Sequence, residues 1–508
     1  MRYFLRGFGF LIGLLIAITL AAFVYLQDAD RLKPELEALI RSQSGIEVSI
    51  LGDLTWELWP PLNLRVRNVS ARQDDTTVTG EDVYLKLDVT AMWQDVEKWQ
   101  IKELRLYNVL VVTPDATTTI ESLQLADFRP GEPSPVSVTG SYLSAGPDQT
   151  PLSGSMQGVV TYTPQSSGQR ERLVFSDADI SSEVATGVCQ LDISPAANAP
   201  ASLPESNDDD LIPVATLLEY DLIADCDLKT LNIGTETFHD AALKVTNIAG
   251  AHLSYLEIRD FLGGSLIGEL DIDLNAAPIS WTIIPELDNV DSKRLLDWTE
   301  RSFDWVANFA VVGEVRFTGN TVEAAAASVK AQHDFDGGQG SLDVSMLKQQ
   351  LTTFAALADR ADSIQRWPAQ WQYQTFKGDW QIDGRKQVFQ AVLDNLAIEA
   401  EGEVDWLSDS VDMLANVTFG PPLPDSPYRV NPLLEGTPLP IRCQGPRAEI
   451  RCRMDADATQ KLIANALRRD SDTGLRKKLE DKIDEKVPEE YRDAARNLLD
   501  ILGRALDN

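Results

Sequence analysis

Histidine and cysteine are the residue types in this chain best suited to acid–base, metal or covalent chemistry. Its three histidines, His239, His252 and His333, are scattered among segments that read as strands. A hydrolytic triad needs a base beside its nucleophile, and none of the familiar hydrolase, zinc-protease or nucleotide-binding motifs occurs in the sequence. The sequence therefore predicts no catalytic residue, no cofactor and no metal site, and it does not indicate an ordinary enzyme.

The four cysteines could form two disulfides in an oxidising compartment. Cys443 and Cys452 flank a turn at residues 444–446, so they could face each other across a hairpin. Cys189 and Cys226 then pair by elimination, each within an alternating strand pattern. Zinc would require closer cysteine or histidine companions than these. We expect two disulfides, with free buried thiols as the alternative.

The balance of charge excludes one class of partner. The chain of 508 residues holds 78 Asp and Glu against 45 Lys and Arg, a formal net charge of −33. A nucleic-acid backbone would be repelled over most of such a surface. Apolar residues make up 44% of the chain, which is enough to build a folded core. The acidity indicates solubility and identifies no ligand.

An uncharged segment near the N-terminus predicts a membrane anchor. Residues 8–26 read FGFLIGLLIAITLAAFVYL, about the length that crosses a hydrocarbon core as a helix. Arg2 and Arg6 precede this segment, so residues 1–27 would comprise a cytoplasmic tip and the anchor, with the body on the far side. A cleaved signal peptide is the alternative, since Ala21 and Ala22 are small.

Beyond the anchor, the sequence changes from a helical period to an alternating one. A short helix is expected to end at Gly45, with its apolar face formed by Leu32, Leu36, Leu39 and Ile40. Strands with one apolar and one polar face follow, as in residues 83–89 and 266–274. Residues 457–508 return to a helical period and predict a helical tail.

We expect the body to comprise two β regions, residues 28–190 and 214–456. Residues 191–213, LDISPAANAPASLPESNDDDLIP, predict a linker or loop between them because they are rich in Pro, Ala, Ser and Asp.

Several segments, in this order along the chain, resemble the AsmA family of bacterial envelope proteins. They are residues 52–64 (GDLTWELWPPLNL), 81–112, 261–266 (FLGGSL), 289–291 (NVD) with Leu295 and Leu296, and 336–344 (DGGQGSLDV). Residues 113–230 show little of this resemblance.

The resemblance implies a single-pass inner-membrane protein whose periplasmic body is mainly β, with a few short helices. Its elongated, twisted antiparallel sheet would curl into a trough lined by apolar side chains, as in bridge-type lipid carriers akin to the chorein group. A sheet with one continuous apolar face must cover it with other elements or with ligand. The side chains expected to face lipid are Val83, Leu85, Leu87, Leu266, Leu270, Ile272 and Leu274. A closed sandwich core is the alternative for these residues.

Three functions follow as expectations. The first is non-catalytic holding or transport of phospholipid, or a related envelope lipid, between the inner and outer membranes in support of outer-membrane assembly. The second is a periplasmic scaffold that assists outer-membrane proteins without lipid cargo. The third is an envelope hydrolase, for which the sequence offers little support. Beyond the inner membrane and lipid, the partners would be outer-membrane or periplasmic proteins.

Overall fold

A computed structural model shows a mainly β chain with a few short helices. The structure describes residues 33–34, 37–38, 41, 47–57, 62–73, 76–88, 100–113, 116–144, 151–165, 170–197, 209–301, 303–349, 352, 364, 366–424, 426, 428–430 and 435–455. The chain divides into two compact units. Unit 1 comprises Met1–Val290 and Val312–Val329, and unit 2 comprises Asp291–Val311 and Lys330–Asn508.

Unit 1 is built on an antiparallel meander. From β3 onward each strand pairs with the next as far as β15, and β1 and β2 both pair with β3. The strands are β1 Glu47–Ile50, β2 Leu54–Glu57, β3 Leu62–Gln73, β4 Thr76–Asp88, β5 Gln100–Val112, β6 Ala116–Phe128, β7 Ser134–Ser144, β8 Leu152–Thr163, β9 Arg172–Ser182, β10 Ala185–Pro195, β11 Tyr220–Ile233, β12 Glu236–Ile248, β13 Ala251–Phe261, β14 Gly264–Asp273 and β15 Ser280–Asp291.

Left-handed residues interrupt many of these long strands. Their φ angles lie between 49° and 55°, and they are Asn68, Asn108, Asp127, Asp177, Asp240 and Asn289. Asn and Asp tolerate this region better than other residues with a side chain. At Asp177 the interruption accompanies a register shift between β8 and β9. The strands can therefore bend locally without requiring glycine at each position.

Two short helices of unit 1 lie outside the meander. Helix α1 spans Val214–Glu219 and connects β10 to β11. Helix α3 spans Val322–Ser328, and the Thr321 hydroxyl caps it by accepting a hydrogen bond from Ala324 N at 3.2 Å. An Asn, Ser or Thr at this position satisfies a backbone donor that the helix itself leaves unpaired.

Unit 2 contains one small and one larger antiparallel sheet. Helix α2, Ser292–Trp298, precedes β16, Trp305–Thr318, which begins in unit 2 and ends in unit 1 and whose first residues pair with β18. In the small sheet β18 also pairs with β19, and in the larger one β17 pairs with β20 and each strand from β20 to β25 pairs with the next. The strands are β17 Lys330–Asp336, β18 Gly340–Asp343, β19 Gln370–Tyr373, β20 Phe376–Asp383, β21 Lys386–Leu393, β22 Leu396–Asp405, β23 Ser410–Phe419, β24 Leu439–Pro446 and β25 Arg451–Met454, with a 3-10 turn at Arg447–Glu449 between the last two.

The core of unit 2 is rich in aromatic residues. Trp371 and Tyr428 stack with ring centroids 4.2 Å apart, and Trp367 packs edge-on against both of them. The Asp394 carboxylate accepts hydrogen bonds from the Trp371 indole at 3.2 Å and from two main-chain N–H groups, those of Gln374 and Thr375. Buried indole N–H groups need such partners, so Asp394 fixes this cluster to the start of β20.

The structure confirms the mainly β, antiparallel class and changes the expected division of the body. Residues 191–195 continue β10 instead of beginning a linker, and β10 pairs directly with β11 across the Pro- and Asp-rich segment. That segment therefore joins neighbouring strands of one sheet, and the two compact units divide at other positions. The alternation of apolar and polar residues continues through Leu191 and Ile193. This alternation predicts a strand more strongly than the Pro- and Asp-rich composition of the following residues predicts a linker.

Three predicted helical segments fall partly or wholly outside the described residues. Residues 8–26 and the tail from 457 onward lie outside them, as do the leucines expected on the face of the short helix before Gly45. Residues 33–34, 37–38 and 41 are helical, and the Glu37 carboxylate accepts a hydrogen bond from Ile50 N at 2.7 Å. Within the described part of the chain, no helix combines the length and the apolar character needed to cross a membrane.

Candidate functional site

One face of the unit 1 sheet carries a line of apolar residues across thirteen strands, with side chains on twelve of them and Gly187 on β10. Each member lies directly opposite the next in the register from β3 to β15. We call this line the apolar row; its members are Val66, Val83, Leu106, Leu123, Val138, Met156, Ile180, Gly187, Leu228, Ala241, Ile258, Leu266 and Leu287. Twelve strand spacings of about 4.8 Å give it a length of about 58 Å.

The opposite face of the same sheet is polar and carries ion pairs between neighbouring strands. Arg65 donates from Nε to the Asp82 carboxylate at 2.8 Å, and Arg172 contacts Asp192 in the same way. The hydrogen bond from Arg65 holds the pKa of Asp82 below its usual range. Because these groups are exposed, each pair contributes little to stability. They mark this face as the one that meets water.

Burial varies along the apolar row. The β3–β6 members, Val66 to Leu123, are 3–5% exposed and belong to a cluster that includes Val48 and Ile50 of β1. Leu228, Ala241 and Ile258 are also buried. Val138, Met156 and Ile180 are only half-buried, and so are Leu266 and Leu287 at the far end. The row is therefore partly accessible in two places, at β7–β9 and at β14–β15.

A shallow hollow of about 300 Å³ lies at the first of these places, on β6–β9. Gly140 and Gly154, directly opposed on β7 and β8, form its floor. A Cβ atom at Gly140 would lie 2.2 Å from the Thr119 carbonyl oxygen, so a larger residue cannot occupy that position without a backbone shift. Tyr142 and Leu152, 47% and 49% exposed, stand on one side of this floor.

The lining of the hollow is uncharged in the described part of the chain. Val138 and Met156 form the side opposite Tyr142 and Leu152, and the remaining contributors are Thr, Ser and Ile residues. The backbone groups beneath it are paired between the strands β6 to β9. The hollow can therefore accept an apolar group, but it offers little to a charged one.

A short segment, residues 209–219, covers the apolar face near β14 and β15; we call it the strap. Val214 and Leu218 of α1 are buried in a cluster with Ile272, Leu274 and Trp281. These apolar contacts hold the middle of the strap against the sheet. The face beneath the strap is therefore closed by the chain itself.

Two asparagines hold the ends of the strap. The Asn320 side chain accepts from Ile212 N at 3.3 Å and donates to Ile212 O at 3.0 Å. Asn247, fully buried on β12, donates from Nδ2 to the carbonyl oxygens of Leu217 and Tyr220, both at 2.7 Å. Both anchors use main-chain groups of the strap, so its position depends on hydrogen bonds as well as on packing.

The predicted lipid-facing residues lie on the apolar face but differ in access. Val83, Leu85 and Leu87 are between 1% and 5% exposed, inside the buried part of the face. Ile272 and Leu274 are buried in the cluster under the strap. Leu266 and Leu270 are half-buried. Only these last two could meet a ligand without movement of the protein.

Sequence reasoning missed both the hollow and the strap. The hollow depends on the opposed pair Gly140 and Gly154, and glycine within an alternating pattern was the available signal. The strap depends on Asn247 and Asn320, which are 73 positions apart in the sequence and belong to no recognisable motif.

The histidines do not assemble into a site. His239 is exposed on β12, His252 is half-buried on β13, and His333 lies on β17 of unit 2. The ring Nε2 of His252 is 2.8 Å from the Ser254 hydroxyl, and burial lowers the pKa of His252 and of His333. Among the described residues, no three metal-binding side chains form a cluster.

Both disulfides join residues that face each other across neighbouring strands. Cys189 of β10 pairs with Cys226 of β11, and both are buried on the apolar face of unit 1. Cys443 of β24 pairs with Cys452 of β25 in unit 2. This is the pairing expected from the sequence. The bonds staple adjacent strands and leave no free thiol in the described residues.

No protein-family model matches the chain, and no curated protein matches it.

Proposed function

We propose that this chain is a non-catalytic envelope protein of the AsmA type that holds or carries phospholipid, or a related envelope lipid, along the apolar face of unit 1. In this proposal residues 8–26 anchor it in the inner membrane and the body lies in the periplasm, where lipid movement towards the outer membrane supports outer-membrane assembly. The apolar row is the observation that carries the proposal.

The length and continuity of the row support a lipid rather than a compact ligand. A core that only stabilises a fold needs apolar clusters, not a line of apolar residues in register through thirteen strands. Each methylene group removed from water contributes about 0.8 kcal/mol, so ten methylenes along the face contribute about 8 kcal/mol before the cost of ordering the chain. The half-buried places at β7–β9 and β14–β15 are where an acyl chain would make contact.

The buried stretch of the row favours a second candidate function. Val66, Val83, Leu106 and Leu123 are packed as in an ordinary protein core. A periplasmic scaffold that assists outer-membrane proteins without lipid cargo would need only such a core and an external surface. This alternative predicts a folded chain that binds no lipid in either accessible place.

A pair of aspartate substitutions tests the proposal. Leu270 is half-buried on the apolar face, whereas Ile284 on the adjacent strand β15 is 41% exposed and its neighbour Ile283 opposes Leu270. Leu270→Asp introduces a charge where lipid would lie, and Ile284→Asp introduces the same charge on the polar face. Phospholipid would be extracted from the purified full chain and quantified by mass spectrometry.

We expect Leu270→Asp to lower the bound phospholipid at least severalfold and Ile284→Asp to leave it unchanged, with both variants folded by circular dichroism. Equal retention in the wild type and in Leu270→Asp would count against the proposal. A folded wild-type chain without phospholipid would favour the scaffold function.

A further inference from the structure

The hollow on β6–β9 differs from the rest of the apolar face in its floor and in its exposure. Its floor is the opposed pair Gly140 and Gly154, where the apolar row beside it carries Val138 and Met156. Its outer side, formed by Tyr142 and Leu152, is about half exposed. It crosses four strands, a distance of about 14 Å at a strand spacing of about 4.8 Å. The hollow is thus a depression formed by the sheet itself, open to solvent and continuous with the apolar row.

We infer that this hollow binds one acyl tail of a phospholipid whose headgroup carries no net negative charge, with the headgroup remaining in solvent. The inference rests on the proposed function and makes it more specific, because it names both the place of first contact and the lipid class.

The chemistry of the lining distinguishes an acyl tail from a peptide. A peptide segment lying on the sheet face would bring N–H and C=O groups that need partners. The sheet's own backbone groups here are paired across β6–β9, and among the described residues the lining offers only scattered hydroxyls. An acyl tail brings no such groups, so it leaves no polar group without a hydrogen-bond partner on entering the hollow.

The charge of the chain restricts the headgroup. No cationic side chain lies in the described lining, and the whole chain has a formal net charge of −33. A headgroup held at the rim would therefore meet no cationic partner in the described lining, while the net charge of the chain disfavours the approach of an anionic headgroup, an effect that salt weakens. Zwitterionic phospholipids avoid this repulsion, whereas anionic ones do not.

Site-specific photocrosslinking tests the inference. The photoreactive residue p-benzoylphenylalanine would replace Leu152 at the hollow or, as a matched control, Ile223, which is 44% exposed on the polar face of β11. The full chain, purified in detergent, would be mixed with vesicles of phosphatidylcholine and irradiated, and the adducts would be identified by mass spectrometry.

We expect lipid adducts at position 152 and none at 223. If total bound phospholipid is measurable but no adduct forms at 152, or if 223 reacts equally, the inference is overturned and the proposed function stands. If no phospholipid binds anywhere on the chain, both are overturned. A protein adduct at 152 in place of lipid would reassign the hollow to a protein partner.

Two further arms test the hollow's shape and its charge preference. Thr118→Phe places an aromatic ring in the hollow from β6 and would exclude about two methylene groups of the acyl tail. Each methylene contributes about fourfold in affinity, so the adduct yield should fall roughly fifteenfold. Replacing phosphatidylcholine by phosphatidylglycerol lowers the yield at 152 at low salt. Equal or higher yield with phosphatidylglycerol overturns the headgroup assignment, and an unchanged yield in folded Thr118→Phe overturns the placement of the tail.

Discussion

Replacing Asn247 by leucine should release the strap from the apolar face. Asn247 Nδ2 donates one hydrogen bond of 2.7 Å to Leu217 O of the strap and another of 2.7 Å to Tyr220 O, where the strap joins β11, and a leucine of similar volume donates none. Two such bonds contribute about 1–3 kcal/mol together. The Oδ1 atom of Asn247 is buried without a partner in the described structure, so its removal by the substitution offsets part of the destabilisation from the two lost hydrogen bonds. We expect a net destabilisation of the strap of about 1–2 kcal/mol.

Hydrogen exchange followed by mass spectrometry measures this effect directly. A loss of 1–2 kcal/mol raises the open population of the strap roughly 5–30-fold, and the exchange of peptides covering residues 209–219 should accelerate by that factor. Asn232→Leu is the matched control, because Asn232 is exposed on β11 and donates to Glu183 O instead. Unchanged exchange in the strap of Asn247→Leu, or equal acceleration in the control, would refute the role given to Asn247.

Three further results are expected. Removing the disulfides, whose cysteines are 37 and 9 residues apart, should lower the free energy of unfolding by about 4 and about 3 kcal/mol, as measured by urea titration of alanine variants. Burial lowers the folded-state pKa of His252 and His333, so the stability they contribute is present above the unfolded pKa of about 6.5. This stability is lost as the pH falls through the lowered pKa. In urea titrations, the decrease in the free energy of unfolding between pH 7.5 and pH 5.5 should be smaller when both histidines are replaced by glutamine than in the wild type. Asp394→Ala should destabilise unit 2 by about 3 kcal/mol in the same assay and Asp394→Asn by less, since asparagine can still accept from the backbone N–H groups.

The sequence was sufficient to predict strands, faces and disulfides because these depend on local patterns. Alternation over residues 266–274 assigns Leu266, Leu270 and Ile272 to one face, and the structure places them there. Cys443 and Cys452 flank a short turn, so their pairing requires only a hairpin. In each case the determining residues are close in sequence, or alternate with the period of the strand itself.

Access to the apolar face could not be predicted in the same way. Leu270 and Ile272 are two positions apart on one strand, yet Leu270 is half-buried and Ile272 is 1% exposed. The difference arises because Val214 and Leu218 of the strap cover Ile272 from more than fifty positions away in the sequence. Alternation identifies which side chains share a face, but it contains no information about what lies over that face.

The contrast between the strap and the hollow bears on how the face could work. Over β14, access is limited by a separate segment that hydrogen bonds hold in place, so it can change without altering the sheet. At β7 and β8, access follows from Gly140 and Gly154 in the sheet itself, and a side chain at Gly140 would clash with the β6 backbone. The hollow is therefore a permanent opening, whereas access to the part of the face beneath the strap depends on the position of the strap. Under the proposed function a lipid would enter at the permanent opening, and movement of the strap would expose only the part of the face around Ile272 and Leu274.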